Sequence, residues 1–228
     1  MVEVMSEISN AACDKVPRGS NASRTAAMRT RVINAAIDCL HERGYAASTT
    51  TEILKRAGVS RGAMLHHFPT KVDLMLATAA HIVTLQTSWY DEQLARVPNR
   101  RDRYLAITSI TWQALKQPTG MALLEVFMAT RSDPELARRF PPVAREIEKV
   151  QHRGMWMLAK DAGITDRAAV RAMTDMGLAT IRGLSIQLLF SDSEDAVEHA
   201  MAMFLAWERT WIARALSDQM HRLVSRPA

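Results

Sequence analysis

The stretch from residue 48 to residue 71, STTTEILKRAGVSRGAMLHHFPTK, constrains the fold of this chain more than any other. It begins with hydroxyl side chains typical of a helix start, and Thr49 precedes Glu52 at the spacing of a capping box. Gly58 stands where a left-handed residue ends a helix, and Ser60 can cap the next helix, which a proline then ends. Two short helices joined by a Gly-containing turn predict a helix-turn-helix, whose second helix can lie in the major groove of DNA.

Residue usage over the whole chain predicts an all-α fold. Alternation of β-branched residues is almost absent, and Met, Leu and Ala dominate the apolar positions. With 228 residues, 48% of them hydrophobic, the chain can form one or two domains with a core. It has no apolar run long enough for a transmembrane helix, and its first dozen residues lack the apolar segment of a signal peptide. The two distant cysteines, Cys13 and Cys39, indicate a reducing cytoplasm rather than a disulfide framework.

Apolar spacing and helix-breaking residues divide the chain into three parts. Small and polar residues predict a flexible arm at 1–24, followed by a three-helix domain at 25–72 and a helical remainder at 73–228. Besides the two helices of the motif, helices are expected at 25–43, from Thr70 to Arg96, and at 100–117, 120–131, 142–162, 167–190 and 194–223. The inward face of the first helix is predicted to carry Val32, Ile33, Ala36, Ile37 and Leu40. The inward face of the fourth helix is predicted to carry Leu74, Ala77, His81, Ile82, Leu85 and Trp89.

Basic side chains are concentrated beside the motif. The chain carries 29 Lys and Arg against 24 Asp and Glu, a net charge of +5. Residues 18–72 hold nine basic and three acidic side chains, a net +6, which leaves 20 basic and 21 acidic side chains elsewhere, a net −1. A DNA phosphate backbone favours this placement. A solvated basic face would not explain why the whole excess lies next to the motif.

The same stretch resembles the TetR family of bacterial repressors. The pattern of that family is a threonine-led helix, then A-G-V-S-x-G-x-x-Y-x-H-F and a lysine just beyond. Here residues 57–68 read AGVSRGAMLHHF, and Lys71 follows. The chain departs from the pattern at Leu65, where the family usually has a tyrosine whose hydroxyl contacts the DNA backbone. The alternative is a helical hairpin without a DNA role, which would also have to account for the charge pattern.

The resemblance implies a role for each matching position. The positions that would face base edges are Arg61, Gly62, Ala63 and His66, with Thr51 where some relatives also contact a base. The positions expected on phosphates are Thr50, His67 and Lys71, and the cap Ser60 and Leu65 complete the interface. Arg61 is the strongest candidate for specificity, because a guanidinium can donate to O6 and N7 of guanine together.

The resemblance also implies a homodimer. TetR-like proteins pair their last two helices with those of a second copy in a four-helix bundle, and two DNA-binding heads suit a palindromic operator with half-sites about one turn, roughly 34–36 Å, apart. The side chains expected at this interface are Met173, Met176, Gly177, Ile181, Leu184, Leu188, Met201, Phe204, Leu205, Trp211 and Ile212. The alternative for the same stripes is an intramolecular core.

By the same resemblance, the central helices would hold a small, mostly apolar effector. Apolar side chains would line the site, and a few polar groups would orient the ligand. The candidates are Trp112, Gln113, Glu125, Phe127, Met128, His152, Met155 and Trp156, for each of which core packing or exposed surface is the alternative. An effector that binds the non-DNA geometry more tightly would release the operator.

The sequence contains no pattern of a catalytic or metal centre. It has no phosphate loop, dinucleotide fingerprint, zinc spacing or nucleophile elbow, so no catalytic residue, metal ligand or cofactor is expected. The hypothesis is a cytoplasmic DNA-binding transcriptional regulator, a repressor released by a small effector. Two alternatives stay open: a helical DNA-binding protein that acts by occupancy without an effector, and a helical enzyme or lipid-binding protein that only shares the motif.

Overall fold

The computed structural model describes the backbone of residues 20–224 and the side chains of residues 23–217. Every regular element in this range is an α-helix: α1 Ser20–Ala47, α2 Thr50–Ala57, α3 Arg61–His67, α4 Lys71–Ala95, α5 Arg100–Leu115, α6 Pro118–Ala129, α7 Pro134–Asp161, α8 Arg167–Gln187 and α9 Glu194–Val224. The all-α prediction is therefore confirmed. Most of the predicted arm lies outside the described residues, and residues 20–24 already belong to α1. None of the described helices combines the length and apolarity that a membrane crossing requires.

The start of α7 differs most from the prediction. The adjacent prolines Pro141 and Pro142 predict a break in the chain and a helix at 142–162. In the structure α7 begins at Pro134 and contains both prolines. Asp133 caps the new start, since its Oδ1 accepts from the backbone N–H of Leu136 at 3.0 Å. Proline lacks the amide that an interior helical turn needs, which is why the pair favoured a break. Buried apolar side chains on both sides of the pair, Leu136, Phe140 and Ile147, hold the helix together across it.

Packing divides the described residues into two compact units. Unit 1 comprises those up to Ser88 together with Gln117–Glu148, and unit 2 comprises Trp89–Lys116 together with those from Lys149 onward. The division of the sequence at 72/73 into a DNA-binding and an effector domain is a different, functional division and stays a prediction.

Unit 1 is built around α1, which packs against α2, α3 and α6. The predicted inward face of α1 is confirmed, since Val32, Ile33, Ala36, Ile37 and Leu40 are all buried. The side chains that meet it from the motif are Ile53, Leu54, Met64 and Phe68, each also buried. These contacts pack α1, α2 and α3 together within unit 1. On α4 the predicted face is wrong at Leu85, which is 40% exposed, because buried Gln86 and Thr87 turn inward instead.

In unit 2, helices α5, α8 and α9 pack against one another. One buried cluster gathers around Tyr104, Ile107, Ile164, Val170 and Ile212. A second cluster consists of Trp112, Ile181, Val197 and Met201. Tryptophan, leucine and phenylalanine side chains that are only partly buried surround both clusters.

Candidate nucleic-acid interface

Helix α2 is fixed at both ends by the residues that the sequence singles out. The side chain of Thr49 accepts from the backbone N–H of Glu52 at 3.2 Å. The carboxylate of Glu52 does not complete the expected capping box, because it pairs with Arg43 at 2.8 Å instead. Gly58 ends the helix with φ 62° and ψ 40°, and its N–H reaches the last carbonyls of the helix. The turn that leads to α3 is therefore rigidly defined.

Helix α3 has a buried inner face and an exposed outer face. Ser60 caps it, accepting from the backbone N–H of Ala63 at 3.4 Å. Met64 and Phe68 anchor the inner face, at 1% and 2% exposure. On the other side Arg61 and Gly62 are exposed, as are Ser60, Leu65 and His66. Most of the residues predicted to contact DNA therefore share one surface, to which α2 adds Thr51, which is exposed, and Thr50, which is half-buried.

The acidic residues of this region are neutralised by neighbouring arginines. Arg56 donates to Glu42 at 2.7 Å and lies 3.7 Å from Asp38, and Arg43 pairs with Glu52. Arg61 is different, since no hydrogen-bond or ion-pair partner reaches it among the described residues. An exposed, unpaired guanidinium at the first position of the second helix keeps all its donors available to an external acceptor.

Lys71, a predicted phosphate contact, is already engaged within the chain. Its Nζ donates to the backbone carbonyl of Tyr45 at 2.7 Å and lies 3.9 Å from the centroid of the Tyr45 ring. Burial lowers the pKa of Lys71, which the carboxylate of Asp133 partly offsets. The ammonium group has three N–H donors, so two remain for a phosphate. Beside it Thr70 caps α4, because its Oγ1 accepts from the backbone N–H of Asp73 at 3.1 Å while its own N–H donates to the Asp73 carboxylate at 2.9 Å.

The two adjacent histidines of α3 have different surroundings. His66 is exposed, and its ring lies 4.9 Å from that of His67 in an edge-on arrangement. Burial lowers the pKa of half-buried His67, and His66 and Arg29 lower it further. His67 is therefore neutral near neutral pH and would contact a phosphate through a neutral ring N–H. Leu65 is 41% exposed and offers no donor at the position where the family pattern has tyrosine.

A polar network that sequence reasoning missed surrounds the end of α1. The backbone N–H of Tyr45 donates to Glu125 Oε2 at 2.9 Å, and its hydroxyl donates to Asp133 Oδ2 at 2.5 Å. Arg139 pairs with Asp73 at 2.5 Å. The contacts of Tyr45 tie the end of α1 to α6 and to the residue before α7, and the Arg139 pair ties α7 to α4, all within unit 1. No local pattern connects Tyr45 with acidic residues that lie 80 and 88 positions away along the chain.

The candidate effector residues divide between the two units. In unit 1, Glu125 holds the amide of Tyr45, Phe127 stacks edge-on with Phe140 at 5.5 Å, and Met128 is 47% exposed. In unit 2, the indole N–H of buried Trp112 donates to Glu198 at 3.2 Å, and His152 pairs with Asp175 at 2.5 Å. Gln113 is exposed, and Met155 and Trp156 pack against the first core cluster. Several of these side chains thus already have partners in the folded chain.

The predicted dimer residues also separate into two groups. Met173, Gly177, Ile181, Met201 and Ile212 are buried in unit 2 and belong to its core. Leu184, Leu188, Phe204, Leu205 and Trp211 are partly buried against the same clusters. Of the predicted set Met176 is strongly exposed, at 43%. The exposed apolar side chains that the sequence reading missed are Leu189, Phe190, Met203 and Trp207, at 62%, 73%, 62% and 46%. Met203 and Trp207 lie four residues apart and therefore share one face of α9, a pattern from which an exposed apolar face could have been predicted.

Within the described range no three or more His, Cys, Asp or Glu side chains come together as a metal-binding group. The candidate functional features of the described residues are therefore the polar networks and the exposed face of the helix-turn-helix.

Residues 32–78 match a family described as bacterial regulatory proteins, tetR family. An HTH-type transcriptional regulator from Mycobacterium tuberculosis is 37% identical over 106 residues, which are 46% of this chain and 54% of that protein. The chain thus spans about half the length of this relative. The HTH-type transcriptional regulator CymR from Pseudomonas putida is 26% identical over 183 residues, 79% of this chain and 89% of that protein.

Solved structures share the fold. The multidrug binding protein EbrR, crystallised with imidazole, matches with a TM-score of 0.55 and 25% identity, over 83% of this chain and 95% of that one. The helix-turn-helix and the match over residues 32–78 show that this segment is a domain of the tetR family of bacterial regulatory proteins, on a chain whose all-α fold is shared by solved structures.

Proposed function

We propose that the chain is a sequence-specific DNA-binding transcriptional regulator, a repressor that occupies a palindromic operator as a homodimer. The observation that carries this proposal is the exposed outer face of α3, with the unpaired guanidinium of Arg61 at its first position. The buried inner face of the same helix fixes its orientation, so that the outer face is presented as a rigid surface. The basic excess of residues 18–72 supplies general attraction to phosphates, and α3 supplies the contacts that distinguish sequences.

The contacts divide into two classes. Arg61, Gly62, Ala63 and His66 read base edges in the major groove, with Thr51 at the margin of the same surface. Thr50, His67 and Lys71 contact phosphates, and Ser60 orients α3 through its cap. Lys71 does so while bonded to Tyr45, so its position on the DNA is set by the end of α1.

The dimer forms through α8 and α9. The exposed apolar side chains Met176, Leu189, Phe190, Met203 and Trp207 supply the surface that a second copy would bury. Large, exposed aromatic and methionine side chains are typical of interface cores. The residues already buried in unit 2 support these helices from behind. Two copies related by a twofold axis then present two α3 helices to a palindrome.

A small, mostly apolar effector releases the operator. EbrR is described as a multidrug binding protein and was crystallised with imidazole, which supports a small-molecule ligand for a chain of this fold. Helix α4 contributes residues to both units, so we assign it the transmission of the signal. Release requires that the effector bind the non-DNA geometry more tightly than the DNA geometry, since equal affinity shifts nothing.

Substitution of Arg61 by alanine is expected to weaken binding to the preferred site by about 1–3 kcal/mol and to relax the preference at one base pair. The reason is the loss of a two-donor contact to a base edge. The measurement is a selection of purified protein against a random DNA library at a fixed salt concentration, with wild type and variant side by side. An enriched inverted repeat for the wild type is the expected outcome.

The matched control is Arg171→Ala, which removes the same charge from an exposed position of α8. It should leave the selected sequence unchanged. If Arg61→Ala yields the same sequence profile as wild type, Arg61 does not read a base. If wild type enriches no sequence at all, with or without cell extract to supply a co-ligand, the proposed function is wrong.

Introduction of negative charge at Met203 and Trp207 is expected to dissociate the dimer. The double variant Met203→Glu/Trp207→Glu would bury two carboxylates in an apolar interface and should weaken dimerisation by at least about thirtyfold. Sedimentation velocity over a concentration series measures this directly. Met157→Glu is the control, because Met157 on α7 is 53% exposed and lies outside the proposed interface. A double variant that remains dimeric at the wild-type concentration would place the interface elsewhere.

A further inference from the structure

Unit 2 contains a buried carboxylate without a counter-charge. Glu208 on α9 is only 4% exposed. Its Oε1 accepts from the hydroxyl of Thr108 on α5 at 2.8 Å, and no second hydrogen bond reaches it from the described residues. An ionised carboxylate has about four acceptor sites, so most of its capacity is unused. The charge of Arg209, the next residue along α9, lowers the pKa of Glu208, but Arg209 is exposed to solvent.

A second unsatisfied group lies beside it. The hydroxyl of Tyr104 is buried, with the residue 1% exposed, and it has no hydrogen-bond partner among the side chains that the structure describes. Tyr104 precedes Thr108 by one helical turn, so both side chains project from the same face of α5. Burial raises the pKa of Tyr104, and the charge of Glu208 raises it further. Buried polar groups are normally bonded, so this pair calls for a partner that residues 23–217 do not supply.

The surroundings restrict the chemistry of that partner. Leu205 and Trp211 flank Glu208 at a spacing of three residues on α9, and both are only partly buried. Access of a ligand to the carboxylate therefore requires that these side chains move. The site offers one negative charge, two hydroxyls and apolar or aromatic walls. A metal ion fits poorly, since it needs several charged or imidazole ligands and only one carboxylate is present.

We propose that Glu208, Thr108 and Tyr104 form a binding site for the ammonium head of a small lipophilic amine. The ammonium supplies the missing counter-charge, donates to Glu208, and donates a further hydrogen bond to the hydroxyl of Tyr104. Its apolar body packs against Leu205 and Trp211. That such an amine acts as the effector rests on the proposed regulatory function, whereas its binding to the site does not.

The test compares amines with neutral molecules of the same shape. Benzylamine and hexylamine are titrated into the full chain by calorimetry near pH 8, beside benzyl alcohol and hexan-1-ol. Each amine should bind at least about tenfold more tightly than its alcohol, the gain expected from a charge-assisted hydrogen bond in a buried site. Equal affinity within a pair, or no binding of either amine, would overturn the proposal without any variant.

Two variants assign the effect to the site. Glu208→Gln keeps the size and the acceptor for Thr108 but removes the charge, so the preference for amine over alcohol should disappear. Tyr104→Phe should weaken amine binding while leaving alcohol binding unchanged. The control is Glu198→Gln, a carboxylate on the same helix that already bonds to Lys116 and Trp112. Retention of the full preference in Glu208→Gln would contradict the proposed site.

The readouts keep this site separate from the regulatory function. Amine binding is measured on the protein alone, and release of the selected DNA is measured separately by fluorescence anisotropy. Amine binding that leaves DNA affinity unchanged would uphold the site and refute its role as the effector site. Absence of specific DNA binding would refute the proposed function and leave the calorimetric result standing.

Discussion

Replacement of Glu208 by glutamine is expected to remove a loss of stability that the wild-type chain undergoes as pH rises from about 4.5 to about 7. Burial raises the pKa of Glu208 from its ordinary value of 4.5 to about 7, although Thr108 and Arg209 oppose the shift. Between these two values the folded state holds a proton that the unfolded state has released. The folded state therefore binds more protons, and its stability falls as pH increases through this window.

The size of the effect follows from the shift. Each unit of pKa corresponds to about 1.4 kcal/mol, so the wild type should lose about 3 kcal/mol of unfolding free energy across the window relative to the variant. Chemical denaturation at pH 4.5, 6 and 8 measures the unfolding free energy of both proteins. The cost of burying the glutamine amide is the same at every pH, so it does not affect how their difference changes with pH. The comparison also isolates Glu208 from other groups that titrate.

A carboxylate on the same helix provides a control of opposite sign. Lys116 lowers the pKa of Glu198, with a smaller contribution from Trp112, although partial burial opposes it. Its ionised form therefore stabilises the fold, and Glu198→Gln should lose stability at high pH, modestly because the side chain is 40% exposed. Parallel pH profiles for wild type and Glu208→Gln would show that the carboxylate is not buried as the structure has it.

The helix-turn-helix was predictable because its determinants are local. The cap Thr49, the left-handed Gly58 and the cap Ser60 lie within a dozen residues and act on their own backbone. The inward face of α1 was predictable for the same reason, since helical spacing alone defines it. Where a contact between helices competed with a local signal, the prediction was wrong. Glu52 fits a capping box but bonds to Arg43, a contact that depends on how α1 and α2 pack.

The rest of the candidate site could not be predicted from the sequence, because it depends on contacts between residues that are far apart along the chain. Tyr45 meets Glu125 and Asp133, which lie 80 and 88 residues away along the chain. No periodicity connects such positions. The apolar stripes of α8 and α9 were recognisable, but a stripe does not say which residues face the chain's own core. Ile181 and Met201 proved to be buried there, whereas Met203 and Trp207 face outward. Burial of Glu208 was equally invisible, because an isolated acid in a helix usually points to solvent.

Substitution of Gly44 by alanine is expected to destabilise the fold by about 2–4 kcal/mol, far more than alanine at an ordinary helical position. Gly44 has φ 72° and ψ 175°, a region that is essentially restricted to glycine, and a side chain there costs about 1–3 kcal/mol. A Cβ would also lie 3.1 Å from Glu125 Oε2, the atom that accepts the N–H of Tyr45. The carboxylate would have to move, which weakens that hydrogen bond.

Two further variants separate the backbone contribution from the contact with Glu125. Gly58→Ala also places alanine at a positive φ, but in the left-handed helical region with open space around it, and should cost only about 1 kcal/mol. In a Glu125→Ala background, the Cβ of Gly44→Ala meets no carboxylate. The loss of stability that Gly44→Ala causes there should fall to the backbone strain alone. Denaturant unfolding of wild type, Gly44→Ala, Gly58→Ala, Glu125→Ala and the double variant measures both differences. If Gly44→Ala costs no more than Gly58→Ala, the backbone at the end of α1 is not held by Glu125.

If instead the costs separate as expected, the connection between α1 and α6 is tight enough that movement of α6 must reach Tyr45. Because Tyr45 also holds Lys71, such movement would displace a predicted phosphate contact of the DNA-binding surface.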